Sequence, residues 1–377
     1  MSVWQTGLLV AAILYLRFQS LIWPICVDQG SELGASEVSS PVAGIAGHPN
    51  ESLDPSRHQL ISFVYFFSGV CETCLCVIES ALLRSSMRIN LYALDAEKMS
   101  EELKGVGISA SDLSRISIIP IDLESIFKDT PLEGFQKSKE YLACDMPNYA
   151  ISNSVRLAII YKTGGIYSDL DLLQISKGID DFPLNFVQMQ DRFTVNGEEI
   201  SDDATNKTVV GFDSHMITNS LFGFSQNSPF VWEIMQTFRK KFVIKVKRFW
   251  GSNGPLNFTR ISKKCFYKTN LGSGLTKEEC SKIQIIPWRT GYPVHWAENE
   301  AGITHVPLNS AEGRKLKNLL KKWQSVILEI KMPKMKHTTS IDGSHQTQIS
   351  ADSLLASYMK ASCPRTYENL IKPTIIY

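Results

Sequence analysis

The chain has 377 residues, 44% of them hydrophobic, which is enough for one large folded domain or two ordinary ones and excludes disorder as the overall state. Lys plus Arg number 39 against 38 Asp plus Glu, so the net charge of +1 leaves no single-sign field to hold nucleic acid. Eight cysteines are too few for a disulfide scaffold of this length, yet enough for two or three bridges in an oxidising compartment.

Residues 3–27 are almost entirely apolar, broken only by Gln5, Thr6, Arg17, Gln19, Ser20 and Pro24. A membrane-spanning helix needs roughly 20 apolar residues, and Arg17 would have to snorkel or shift the span towards one end. Residues 1–27 are therefore expected to be an uncleaved signal anchor. The run 7–16 also fits the apolar part of a cleaved signal peptide, and that alternative stays open. Residues 28–58 form a Gly/Ser/Pro-rich tract with no apolar period, expected as a stalk, and 59–377 follow as the lumenal domain. N-x-Ser/Thr triplets at Asn50, Asn206 and Asn257 are candidate glycan sites in that topology.

Within the domain, residues 60–67 read as a strand, 76–84 as a helix and 89–94 as a second strand. A third strand is expected at 116–121, followed by Asp122 as the N-cap of a short helix to about residue 128. This alternation predicts an α/β domain with a mainly parallel sheet covered by helices, whose ligand sites lie at the carboxyl ends of the strands. Cys71, Cys74 and Cys76 have no second cysteine pair to complete a zinc site, so a disulfide role is favoured.

The most informative segment is 148–173. It opens with a helix having one apolar face, with Arg156 off that face beside Ser152 and Asn153. Gly164 and Gly165 stop the helix. Residues 166–171 then read as a strand ending in Asp169 and Asp171, which at i and i+2 point to one side and can hold a hard divalent cation such as Mn2+ or Mg2+. A cation held by few carboxylates keeps positions for a diphosphate, and neutralising a departing nucleoside diphosphate needs no proton. Arg156 offers a planar donor fork for sugar or phosphate oxygens.

This segment resembles the sugar-donor motif of the alpha-1,4-galactosyltransferase family, glycosyltransferases with an Asp-x-Asp signature. The likeness extends to Cys76-Val77-Ile78-Glu79-Ser80-Ala81, to Thr218-Asn219-Ser220-Leu221-Phe222-Gly223-Phe224, and to Trp250-Gly251-Ser252-Asn253-Gly254-Pro255 with Thr259-Arg260 and Lys263-Lys264-Cys265. Ile286-Pro287-Trp288 and Cys363-Pro364-Arg365-Thr366-Tyr367-Glu368 also correspond, so it covers roughly residues 60 to 377. The resemblance implies a GT-A fold, type II Golgi membrane topology, a UDP-sugar donor, a divalent metal and a retaining transfer. Carried over by position, Asp169 and Asp171 would hold metal and diphosphate. Asn153, Arg156, Gly165, Tyr167 and Asn219 would bind the donor, and Asn253 would line the site as a catalytic residue. Two positions depart from the family pattern. Asn153 stands where Asp is usual, and 326–332 lacks a His-x-Trp-Asn motif, with Glu329 about where the His would be.

The expected function is transfer of galactose or N-acetylgalactosamine from UDP-galactose or UDP-N-acetylgalactosamine, in alpha-1,4 linkage, to a glycolipid acceptor. A homo-oligomer is compatible with the sequence, and no nucleic-acid partner is expected. Glu329 and Asp213 are the candidates for a covalent nucleophile, and a same-face displacement without one is equally open. Closure of a loop near residues 250–255 is expected to exclude water. The alternative is a lumenal nucleotide-sugar-binding or partner-binding protein that no longer catalyses transfer. A phosphohydrolase built on an Asp-x-Asp nucleophile is disfavoured by Leu173 and the mid-chain position of the pair. His295 and Trp296, with Glu298 and Glu300, read as a surface loop or an acid–base group; 242–250 reads as a packed amphipathic element or a membrane-facing one; and 315–322 reads as the wet face of a helix.

Overall fold

The computed structural model describes residues 58–66, 71–189, 194–195, 198–199, 216–246, 251–267, 275–291, 306–322, 325–330 and 350–372. The expected anchor, most of the stalk, Asn50, Asn206, Asp213, His295 and Trp296 lie outside them. No helix among the described residues is long and apolar enough to cross a membrane.

The domain opens as the sequence predicts, with strand β1 (Leu60–Tyr65), helix α1 (Glu72–Arg84) and strand β2 (Arg88–Ala93). Helix α2 (Ala96–Gly105) and strand β3 (Ile116–Pro120) follow. Asp122 then caps the short helix Leu123–Phe127 by accepting the Glu124 N–H. Helix α3 (Pro147–Thr163) leads into strands β4 (Gly165–Ser168), β5 (Leu172–Gln174) and β6 (Phe186–Met189). The remainder comprises strand β7 (Ile217–Phe224), helices α4 (Pro229–Lys240) and α5 (Pro255–Tyr267), strand β8 (Gln284–Ile286), helix α6 (Ala311–Lys322), strand β9 (Ile327–Glu329) and helix α7 (Leu354–Ser362).

Seven strands form the main sheet in the order β8-β6-β7-β4-β1-β2-β3. β7 runs antiparallel to both neighbours, β6 and β4, while the other pairs are parallel. β5 and β9 pair antiparallel as a separate two-stranded sheet. Side-chain alternation splits the main sheet into two cores. Ile61, Phe63, Ile89 and Leu91 face α1, α2 and α7, while Val64, Tyr92 and Phe222 face α3, α4 and α5. Both faces are covered, as a mainly parallel sheet requires.

Three disulfides cross the described residues: Cys71–Cys74, Cys265–Cys280 and Cys76–Cys363. The last bridges a sequence separation of 287 and ties the C-terminal segment to α1. Beside it, buried Glu79 accepts the backbone N–H groups of Arg365 and Thr366 at 3.0 and 2.8 Å. Arg365 also reaches Asp112 at 3.1 Å.

Three expectations change. His58, assigned to the stalk, is buried and donates from Nε2 to the Pro183 carbonyl at 2.9 Å, with its ring edge-on to Phe186, so the fold includes it. Asn257 is 0% exposed inside α5, and its Oδ1 accepts from Arg260 at 2.8 Å, so this triplet offers no glycan site in the folded domain. Residues 242–246 form no regular element. Asp145 pins them, its N–H donating to the Ile244 carbonyl and its carboxylate accepting the Val246 N–H. Helix α6 exposes most of its length, as read.

His58 carries a pH prediction. Burial depresses its pKa from 6.5 to about 4, partly offset by the Pro183 hydrogen bond. The unfolded chain therefore binds this proton at a higher pH than the native state does. Stability is complete above about pH 6.5 and falls as pH drops towards 4, by roughly 3 kcal/mol in total and about 2 by pH 5. Urea unfolding at pH 7 and pH 5 measures it, and His58→Leu should flatten that difference.

Candidate active site

Helix α3 begins with Pro147 at its first turn, where the missing N–H costs nothing, and ends at a glycine pair. Gly164 and Gly165 have φ of 65° and 93°, in the left-handed region that favours glycine. A Cβ at Gly165 would lie 2.5 Å from the Leu60 carbonyl oxygen, so only glycine lets β4 enter the sheet beside β1 at this point. Gly165 thus acts on the backbone.

β4 stops at Ser168, so Asp169 and Asp171 are not strand neighbours as the sequence suggested. Asp169 N–H still bonds to the Ser220 carbonyl at 2.8 Å, and Leu172 N–H closes a turn onto the Asp169 carbonyl at 3.2 Å. The two carboxylates are the first and third residues of a tight turn linking the main sheet to the small one. Strand periodicity fails because the chain changes sheets there. The turn lies at the carboxyl end of β4, near the middle of the strand order.

Asp169 is gripped at both oxygens. Tyr167 Oη donates to Oδ1 at 2.5 Å and Arg156 Nη1 donates to Oδ2 at 3.0 Å. Arg156 is buried, at 6% exposure, not off a wet face of α3. Its Nε and Nη2 donate to Ser152 O and Oγ, and Nη1 also reaches the Asn219 carbonyl at 2.9 Å. The guanidinium lies 4.7 Å from the Tyr167 ring centroid, and that ring stacks on Phe222. Burial disfavours the Arg156 cation, but Asp169 leads the groups that outweigh it and raise its pKa. Burial, with Asp169 close by, raises the Tyr167 pKa well above its ordinary value, so the phenol keeps the proton it donates.

A second cluster adjoins the first. Asn219 Nδ2 donates to Asn153 Oδ1 at 2.5 Å, and Gly254 presses on that pair. A Cβ at Gly254 would come within 2.7 Å of Asn219 Nδ2 and 3.0 Å of Asn153 Oδ1. Gly254→Ala is expected to cost about 1–3 kcal/mol by overpacking, measured as a lower urea midpoint. Asn253, one residue earlier, is turned away from this cluster. Its amide accepts the Val243 N–H at 2.8 Å and donates to the Val243 carbonyl at 2.9 Å, at 1% exposure. Tyr149, which sequence reasoning passed over, joins the cluster with its hydroxyl against Asn153 and the Gly251 backbone. Burial raises its pKa. No periodic signal marks it, since it lies in the first turn of α3 among small and polar residues.

β9 brings Glu329 opposite Leu172 in the small sheet, and Ile330 N–H bonds to the Asp171 carbonyl at 2.6 Å. The Glu329 backbone therefore neighbours the turn; its side chain lies outside the described atoms.

A divalent cation fits the turn. An ionised carboxylate offers about four acceptor positions, and Asp169 uses two of them on Tyr167 and Arg156 while its side chain stays 25% exposed. Asp171 is half-buried two residues on. Both supply the hard oxygen donors that Mn2+ or Mg2+ takes. Among the described residues no group of three or more His, Cys, Asp or Glu is placed to hold a metal, so substrate oxygens and water would complete the shell.

Two family models match this architecture. A glycosyltransferase sugar-binding region containing a DXD motif matches residues 72–193, from α1 through the Asp169 turn, and an alpha 1,4-glycosyltransferase conserved region matches 223–370. Over these two regions the chain is similar to the alpha-1,4-glycosyltransferase family. Asn219, which joins Asn153 to Arg156, falls between the two matched regions. Relatives of the chain include the human alpha-1,4-N-acetylglucosaminyltransferase, 24% identical over 70% of this chain and 64% of that protein. The rat lactosylceramide 4-alpha-galactosyltransferase is 24% identical over 51% of this chain and 46% of its own. The chain thus aligns with about half to two thirds of the length of these relatives. Among solved structures, the PaToxG glycosyltransferase aligns with 60% of this chain and 84% of its own at 16% identity and a TM-score of 0.37. The galactosyltransferase LgtC aligns with 70% of this chain and 95% of its own at 11% identity and a TM-score of 0.29.

Proposed function

We propose that the chain is a retaining, metal-dependent hexosyltransferase of GT-A type that moves galactose or N-acetylgalactosamine from UDP, in alpha-1,4 linkage, to a terminal sugar of a glycolipid. The observation that carries this reading is the Asp169–Asp171 turn at the carboxyl end of β4, with Asp169 held in one orientation by Arg156 and Tyr167. A bound Mn2+ or Mg2+ would supply charge neutralisation for the departing diphosphate. Asp169 and Asp171 would hold it, and Arg156 keeps Asp169 oriented. The Gly254 turn packs closely on Asn153 and Asn219, both buried. A Golgi location as a type II membrane protein is supported by the apolar residues 3–27 and by three disulfides, which persist in oxidising compartments.

The test is transfer by the full-length protein in detergent with Mn2+, a panel of UDP-sugars and mixed glycolipid acceptors, read by mass spectrometry. UDP-N-acetylglucosamine belongs in the panel because the human relative is named for that sugar. Product carrying one added hexose or N-acetylhexosamine supports the reading and identifies the donor. Folded protein that binds UDP with Mn2+ yet makes no product from any pair favours the nucleotide-sugar-binding alternative. Asn153, neutral and committed to Asn219, is the observation that motivates that alternative.

A further inference from the structure

We propose that Tyr167 is a positioning residue for the metal site, its hydroxyl fixing Asp169 so that the outer lone pairs of that carboxylate face the cation. The proposal rests on the functional reading above and changes the part Tyr167 plays in it. At 1% exposure the phenol is closed to a nucleotide-sugar. Its reach is inward, along a continuous set of contacts. The ring stacks on Phe222 at 5.4 Å between centroids, the Arg156 guanidinium lies 4.7 Å from the ring centroid, and the hydroxyl ends at Asp169 Oδ1.

Two donors at the two oxygens define an orientation that neither gives alone. With only the Arg156 contact at Oδ2, the carboxylate could rotate about its Cβ–Cγ bond and swing Oδ1 off the site. Tyr167 closes that freedom. The geometry also sets a division of labour. Arg156 supplies charge and is itself held by Ser152 and the Asn219 carbonyl. Tyr167 supplies direction, and β4 and β7, through Tyr167 and Phe222, supply rigidity. Groups that orient a ligating carboxylate typically govern metal affinity by 10–100-fold without touching the metal.

The experiment uses the full-length protein in detergent and compares wild type, Tyr167→Phe and Phe222→Leu. Tyr167→Phe deletes the hydroxyl and keeps the ring, its stacking and its contact with Arg156. Phe222→Leu disturbs the stack and keeps the hydroxyl. Bound Mn2+ is counted by electron paramagnetic resonance in the presence of UDP, with thermal unfolding measured alongside. Tyr167→Phe should weaken Mn2+ binding roughly 10–100-fold with its melting temperature nearly retained. In transfer assays it should raise the Mn2+ concentration for half-maximal rate more than it lowers kcat at saturating Mn2+. Phe222→Leu should lower the melting temperature with a smaller effect on Mn2+. If Tyr167→Phe binds Mn2+ as wild type does, the positioning role is overturned while the functional reading stands. If wild type itself binds no Mn2+ with UDP, the functional reading fails, and this proposal with it.

Discussion

Asp169→Ala and Asp171→Ala are each expected to reduce sugar transfer by about 10²–10³-fold, and the first should destabilise the fold more than the second. On the proposed function the loss of activity follows from their shared turn, where both carboxylates would hold the charge that neutralises the leaving diphosphate. The difference in stability follows from Arg156. Its guanidinium is buried, and Asp169 is the carboxylate at 3.0 Å from it. Removing Asp169 leaves an uncompensated buried cation, which costs about 3 kcal/mol, the lower end of the usual range because the Asp169 side chain is 25% exposed. Asp171 is half-buried, and its backbone carbonyl, which receives the Ile330 N–H, survives the substitution. Urea unfolding and transfer assays on the two variants separate the cases. Equal destabilisation by both would mean that Arg156 does not depend on Asp169. Full activity in either would remove that carboxylate from the metal site.

Glu79→Ala and Cys363→Ser should each weaken the attachment of the C-terminal segment, by about 3 and about 2–5 kcal/mol respectively. Glu79 is 0% exposed and satisfies two backbone donors, those of Arg365 and Thr366. Without its carboxylate the buried Thr366 N–H stays unpaired and the half-buried Arg365 N–H loses its acceptor, and desolvation sets the cost. The Cys76–Cys363 bond closes a very long loop of the unfolded chain, the case in which a cross-link removes most chain entropy. Cys76 and Glu79 lie one helical turn apart on α1 and grip the same four-residue stretch, so the double variant should fall short of the sum of the singles. Urea midpoints of the two singles and the double make the cycle. Strict additivity would show that the two contacts hold the segment independently.

Some of the site was plain in the chain because its signals are local. Gly164-Gly165 reads as a helix stop since left-handed φ favours glycine, and Asp-x-Asp after it places two carboxylates two residues apart whatever lies around it. Other residues were misplaced because their roles depend on partners far along the chain. Arg156 reads as a residue on a polar face, yet its Nη1 lies against the carbonyl of Asn219, 63 positions away, and that contact buries it. Asn253 reads as a site amide, but Val243 occupies it. Asn257 matches a glycan triplet, and α5 turns it into the core. Tyr149 gave no signal at all.

The sequence by itself determined the α/β alternation, the cap at Asp122, the glycine stop and the acidic pair. Each depends on backbone dihedral preference or on a short hydrophobic period, and these act within a few residues. Tertiary structure alone decided that Asp169 and Asp171 sit in a turn between two sheets, that Tyr167 and Arg156 converge on Asp169, and that Cys76 meets Cys363. Those outcomes depend on which strands become neighbours. Strand order in a sheet is set by the burial of both faces together, a property of the whole chain that no local window contains.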